Sequence, residues 1–305
     1  MHIVVMGAGG VGGFFGAKLV KAGEGVTLVA RGEHLEAIRR DGLTVRSAVD
    51  GVYVVRPRAV EDVKGLAPVD AVLFCVKSFD TEHAAEQLRP VIGSETAVLS
   101  LQNGIDNEDK IDAILGGGHA LGGVAQVFAV IDGPGVIAHQ FAGRIIFGEL
   151  DGRRSPRAER LLKTFERAGI AVELTTSVRR ALWEKYVMIC AVAGMTAVTR
   201  CPIGVIRDTL PSWAMFRRLV EEVVALGAAA NAGLDADAVE QIVKYAAAIA
   251  PANFSSLYQD LQRGKRLELE ALHGHAVRLG ARLGVPVPTV AAVYAALAPH
   301  AAGKP

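Results

Sequence analysis

The chain opens with alternating apolar runs and glycines that predict strand, turn, helix and strand in succession. Residues 3–6 are apolar and feed the turn Gly7-Ala8-Gly9-Gly10-Val11-Gly12. A helical pattern follows through Phe14, Phe15, Leu19 and Val20, and a second apolar run covers residues 26–30. A polar helix is expected over 33–40, with short edge strands over 43–45 and 52–55 around Asp50-Gly51. Residues 70–77 are apolar between Asp70 and Lys77, as a parallel strand buried on both faces should be. A helix over 81–88, a strand over 97–101 and a helix over 105–115 come next, the last stopped by Gly116-Gly117-Gly118. From 120 to 150 the apolar runs are broken by Asp132-Gly133-Pro134-Gly135 and Ala142-Gly143, which reads as antiparallel strands joined by hairpins. A charged helix over 156–168 and a short strand over 171–175 follow.

Beyond Thr176 the pattern predicts helices only, over 178–200, 212–232, 235–250, 253–263, 267–283 and 288–298, with breaks at Cys201-Pro202, Pro211, Gly233, Pro251, Gly264 and Pro286. The fold class is therefore an α/β Rossmann-type N-terminal domain, its parallel sheet extended by antiparallel strands, followed by an all-α C-terminal domain. The expected boundaries are 1–176 and 177–305.

The first turn carries the strongest chemical signal. In a GxGxxG turn between strand and helix, Gly7 permits the tight bend, Gly9 lets backbone N–H groups approach a pyrophosphate, and Gly12 lets helix pack on strand. The phosphates would sit at the helix N-terminus, where the backbone dipole favours negative charge. Arg31 ends the second strand where an acid would bind the adenosine ribose of NAD. A guanidinium suits a 2′-phosphate, so NADP (NADPH) is the expected cofactor; the alternative is a solvated arginine that merely opens the next helix.

Composition narrows the partners. In 305 residues, 51% apolar, 33 Lys and Arg balance 32 Asp and Glu, so no basic face for nucleic acid is implied and a small molecule is the expected partner. Cys75, Cys190 and Cys201 lack the spacing of a disulfide framework, and with eight scattered histidines they predict no metal site. The chain starts directly with a strand, and its longest apolar stretch, 186–198, is too short to span a bilayer, so a cytoplasmic protein is expected. The alanine-rich helical half could support a homodimer.

Reducing a carbonyl requires a proton donor for its oxygen. Lys185 is the best candidate: Ile189 and Ala193 follow four and eight residues later, so the lysine heads an apolar helical stripe. Its alternative is a helix-end lysine reaching to water. Lys77 and Asn103 fall at carboxyl ends of strands, the edge where open α/β sheets bind ligands, although Asn103-Gly104 is also a turn signal. Ser255, Ser256, Glu268 and Glu270 stand at helix starts, where capping and the helix dipole explain them equally well.

In order, GAGGVG, Arg31, Val76-Lys77, Gln102-Asn103-Gly104, Trp183-Glu184-Lys185, Cys201-Pro202-x-Gly204, Asn253-x-Ser255-Ser256 and Lys265-x-x-Glu268 resemble the ketopantoate reductase (2-dehydropantoate 2-reductase) family over essentially the whole chain. The resemblance implies NADPH-dependent reduction of a 2-ketoacid to a 2-hydroxy acid, typically ketopantoate to pantoate in pantothenate and coenzyme A biosynthesis. It implies Lys185 as general acid, Asn103 holding cofactor and substrate, Lys77 and Ala129 lining the cofactor site, and Ser256 binding the substrate carboxylate. Glu268 would lie near the lysine and the nicotinamide ribose.

The sequence departs from the family at Ile189, Ala193 and Ile203, where typical members carry asparagines that bind polar groups of the substrate. Each lost hydrogen bond is worth roughly 1 kcal/mol net, so a ketoacid with a more apolar side chain than ketopantoate is expected. The alternatives are authentic ketopantoate reduction, a non-catalytic NADP-binding sensor and a β-hydroxyacid dehydrogenase.

Overall fold

The structure, a computed structural model, describes residues 1–304 and all their side chains except that of Ala142. The chain forms two compact units, Met1–Gln102 with Asp106–Val178, and Asn103–Ile105 with Arg179 onward.

The first unit is built on strand β1 (His2–Met6), helix α1 (Gly10–Lys21) and strand β2 (Gly25–Val29). After α2 (Gly32–Asp41) come β3 (Leu43–Ser47), β4 (Gly51–Val55) and β5 (Arg58–Val60). Then follow β6 (Ala71–Phe74), α3 (Thr81–Leu88), β7 (Ala97–Ser100) and α4 (Asn107–Leu115). The unit continues with β8 (Ala120–Gly133), β9 (Val136–Glu149), α5 (Pro156–Arg167) and β10 (Ala171–Leu174). One sheet runs β4-β3-β9-β8-β7-β6-β1-β2-β5, with β10 also paired to β9. Strands from β8 through β5 are mutually parallel; β8–β9 and β3–β4 are the antiparallel pairs.

The buried strands follow from composition. Every residue of β6 and β7 is enclosed, and apolar clusters line both faces of the sheet, one around Phe14, Phe15, Leu28 and Phe147, the other around Val4, Phe74, Leu88 and Ile111. Ser155 caps α5 by accepting from the Ala158 amide, and Pro156 starts the helix with its φ already fixed. Glu149, at the end of β9, is enclosed with Arg157, which donates to its two oxygens at 2.8 and 2.7 Å; Ser155 adds a third bond at 2.5 Å. Burial opposes the charge on Glu149, but these partners outweigh it and hold the carboxyl below its ordinary pKa.

Three details differ from the sequence expectation. Only one hairpin joins β8 and β9; Gly143 sits inside β9 at φ +118°, where the register shifts, so it marks a bulge and not a second turn. Strand β6 ends at Phe74, which leaves Lys77 in the loop beyond it. The three-residue β5 has no counterpart in the sequence pattern.

No strand occurs among the described residues of the second unit. Its helices are α6 (Val178–Thr199), α7 (Ile203–Asp208), α8 (Leu210–Ala229), α9 (Ala238–Ala247), α10 (Ser256–Gln262), α11 (His275–Leu283) and α12 (Pro288–Leu297). They enclose a core that includes Tyr186, Phe216, Val220, Leu272 and Val290. The expected break at Cys201-Pro202 is real, but α7 begins at once after it. The helix expected over 267–283 is instead a π turn, Glu270–Gly274, followed by α11. Helix α6, with 22 residues, is long and apolar enough to cross a bilayer by length and composition, yet 61% of its most apolar window is buried. That burial marks a core helix.

Candidate active site

From β1 the chain steps out to β2 on one side and returns to β6 on the other, so the carboxyl end of β1 is a switch point of the sheet. The glycine turn stands there. Gly7 has φ +97°, and a Cβ on it would lie 2.9 Å from the Val76 amide nitrogen in the loop after β6. A Cβ on Gly12 would lie 2.2 Å from the Gly7 carbonyl oxygen, so α1 packs directly on the turn. Gly9, by contrast, faces open space, with nothing within 4 Å of an added Cβ. A cradle open only at Gly9, leading into the N-terminus of α1, fits a dinucleotide pyrophosphate. Ala129 belongs to the same wall: its carbonyl oxygen would be 2.0 Å from a Cβ on Gly10.

Around the cradle, Arg31 precedes α2 with its side chain 86% exposed, and its Nη2 lies 3.8 Å from Asp80 Oδ2. An exposed pair at that distance contributes little, and the guanidinium still faces solvent. Lys77 is half-buried and leads into the short turn Ser78–Asp80. Two residues that sequence reasoning gave no role hold these loops. Buried Gln102 donates to the Val76 carbonyl at 3.1 Å and to Thr81 Oγ1 at 2.8 Å, tying the loops after β6 and β7 together. His34 donates from Nε2 to the Ala8 carbonyl at 2.9 Å and accepts the Gly135 amide at Nδ1, 3.0 Å away, which clips the glycine turn to the β8–β9 hairpin. Burial holds His34 below its ordinary pKa. Helical spacing gives no sign of either contact.

In the second unit, Lys185 and Ile189 are half-buried on α6, whereas Ala193 and Ile203 are enclosed, at 1% and 0% exposure. Of the three apolar replacements, only Ile189 keeps appreciable surface. Asn103 and Glu268 are brought together, with Asn103 Nδ2 3.5 Å from Glu268 Oε2, at the outer limit of a hydrogen bond. Glu268 is 6% exposed and immediately precedes the π turn region. Ser255, and not Ser256, is the cap of α10: its Oγ accepts the Tyr258 amide and pairs with Thr196 Oγ1 at 2.7 Å. Ser256 is exposed in the first position of α10. Burial pushes the Cys75 and Cys190 thiols up to about 12, so neither is a thiolate nucleophile. Among the described residues no group of three or more His, Cys, Asp and Glu side chains is placed to hold a metal ion.

A family profile described as "Ketopantoate reductase PanE/ApbA" matches residues 3–152, and its companion, "Ketopantoate reductase PanE/ApbA C terminal", matches residues 177–301. The chain belongs to the ketopantoate reductase family. It is 32% identical to a 2-dehydropantoate 2-reductase of Halobacterium salinarum over 95% of each chain. A crystal structure of a ketopantoate reductase family member from Ralstonia eutropha superposes with a TM-score of 0.91 at 34% identity, covering 99% of this chain and 98% of that one. A D-mandelate dehydrogenase bound to NADH and anilino(oxo)acetate has a TM-score of 0.92, covering 99% of this chain and 98% of that one, but at 21% identity that likeness concerns the fold alone. As a ketopantoate reductase family member, the protein is an oxidoreductase that acts on C=O and CH–OH groups.

Proposed function

We propose that the protein reduces a 2-ketoacid to a 2-hydroxy acid with NADPH, and that its preferred substrate has a more apolar side chain than ketopantoate. The observation that carries the reading is the pairing of Asn103 with Glu268, which come within 3.5 Å across 165 positions of sequence, in the unit that also holds Lys185. An amide can hold a substrate oxygen, an ammonium can protonate the ketone, and a carboxylate can keep that ammonium charged. The open cradle at Gly9 and the solvent-facing guanidinium of Arg31 support NADPH as the dinucleotide.

When bound, the reduced nicotinamide supplies the hydride that C2 of the ketoacid receives. Lys185 Nζ polarises the ketone oxygen and delivers a proton to it, so that the carbonyl becomes the hydroxyl. Glu268 favours the ammonium form of the lysine and thus keeps the proton ready. Asn103 orients substrate and cofactor, and Ser256 receives the substrate carboxylate. Lys77 and Ala129 flank the dinucleotide beside Gly7, Ala8, Gly9, Gly10, Val11 and Gly12. Ile189 replaces an amide with apolar surface; Ala193 and Ile203 offer no substitute for the two other lost amides.

Steady-state kinetics with ketopantoate and a panel of branched and aromatic 2-ketoacids, each with NADPH and with NADH, test this. The expected result is a higher kcat/KM for an apolar ketoacid, with NADPH preferred. Ketopantoate in first place would favour the ordinary family reaction, which the likeness to the Halobacterium salinarum 2-dehydropantoate 2-reductase also supports. NADPH binding without turnover of any ketoacid would favour a sensor.

A further inference from the structure

The segment after Glu268 departs from regular helix. At Glu270–Gly274 the chain makes a π turn, closed by the Gly274 amide reaching the Leu269 carbonyl, five residues back, at 2.9 Å. Such turns are rare, and this one is bonded to α6 at two points and packed against it at a third. Tyr186, next to Lys185, donates its hydroxyl to the Leu272 carbonyl at 2.6 Å. His273 donates from Nε2 to the Cys190 carbonyl at 2.9 Å. Gly194 leaves the space that the imidazole occupies, since a Cβ there would lie 2.7 Å from His273 Nε2. On the far side, Glu270 accepts from Tyr294 and Arg278, each at 2.6 Å.

His273 is an expensive residue for mere packing. It is fully enclosed, one ring nitrogen makes the bond to α6, and Nδ1 has no partner. An apolar side chain would avoid that bare nitrogen, so what histidine adds is one directed bond. Burial takes its pKa down to about 4, which keeps the ring neutral near pH 7.

We infer that His273 is a positioning residue: its bond to Cys190 fastens the π turn to the helix that carries Lys185 and thereby sets where Glu268 stands relative to that lysine. The inference rests on the proposed roles of Lys185 and Glu268.

The test measures kcat against pH and melting temperature for the full chain, with NADPH and the 2-ketoacid of highest kcat/KM in the panel above. His273→Leu removes the bond while filling the space; Gly194→Ala leaves the histidine in place but displaces its ring; His273→Gln retains a donor. His273→Leu and Gly194→Ala should each lower kcat about tenfold or more. Both should also move the alkaline limb of the profile down by about one pH unit, because a displaced carboxylate no longer favours the ammonium. His273→Gln should restore most of both effects. Should His273→Leu fail to fold, the contrast between Gly194→Ala and His273→Gln decides. An unmoved alkaline limb, with or without a fall in kcat, would overturn the inference. Wild-type kcat in Lys185→Ala would instead overturn the acid assignment beneath it.

Discussion

Lys185 and Arg31 carry separable parts of the proposed reaction. Replacing Lys185 by Ala should lower kcat by about 10²–10⁴, the usual contribution of a positioned acid, with little change in melting temperature, since the side chain is only half-buried. Arg31→Ala should raise KM for NADPH by about 10–100-fold, the loss expected for charge-assisted bonds, and leave KM for NADH nearly unchanged. Equal effects on the two cofactors would remove Arg31 from the 2′-phosphate. Both positions were legible as candidates because their signals are local: Arg31 follows β2, the strand reached from the glycine turn through α1, and Lys185 heads an apolar stripe. Gln102, His34 and His273 were not. Each acts through a backbone carbonyl contributed by a distant stretch, Val76, Ala8 or Cys190, and composition and spacing say nothing about such partners.

At the scale of elements, α1 depends on glycines that let backbone meet backbone. A Gly10→Ala variant places a Cβ 2.0 Å from the Ala129 carbonyl oxygen, which must move α1 or β8. Overpacking of this kind costs about 1–3 kcal/mol, so the urea midpoint should fall and NADPH should bind more weakly. An unchanged midpoint and affinity would contradict the close approach of α1 to β8. Long elements with a strong period were readable from the sequence, β1–α1–β2, the β8–β9 pair and α6 among them. The unreadable ones are short or out of phase. Strand β5 has three residues, α7 has six directly after a proline that signals a break, and a π turn inserts one residue into a run whose apolar spacing otherwise suggests continuous helix.

For the whole molecule, two enclosed groups give opposing pH dependences. His273 has its pKa lowered from 6.5 to about 4, so between those values the unfolded chain binds the extra proton and stability rises with pH. Glu108 is pushed up from 4.5 to about 7 by burial, with Asp109 and Asp106 adding to the effect; there the folded chain binds the extra proton and stability falls with pH. Between pH 4.5 and 6.5 the two slopes oppose, while His34, lowered by burial, adds to the first. Glu108→Gln removes the falling slope, so the variant should gain stability from pH 4.5 to 6.5 by about 2 kcal/mol more than the wild type does. Urea midpoints at three pH values across that window check this; parallel curves for the two proteins would refute it.

The chain enters its second unit twice, first for Asn103–Ile105 and again from Arg179. Inheritance by segments would therefore be imperfect. A chimera that takes residues from 179 onward from a relative acquires that relative's counterpart of Glu268, but keeps the recipient's Asn103 against it. Substrate preference should transfer cleanly only when the three residues 103–105 travel with the graft, so the natural unit of exchange in this protein is not a contiguous stretch of gene.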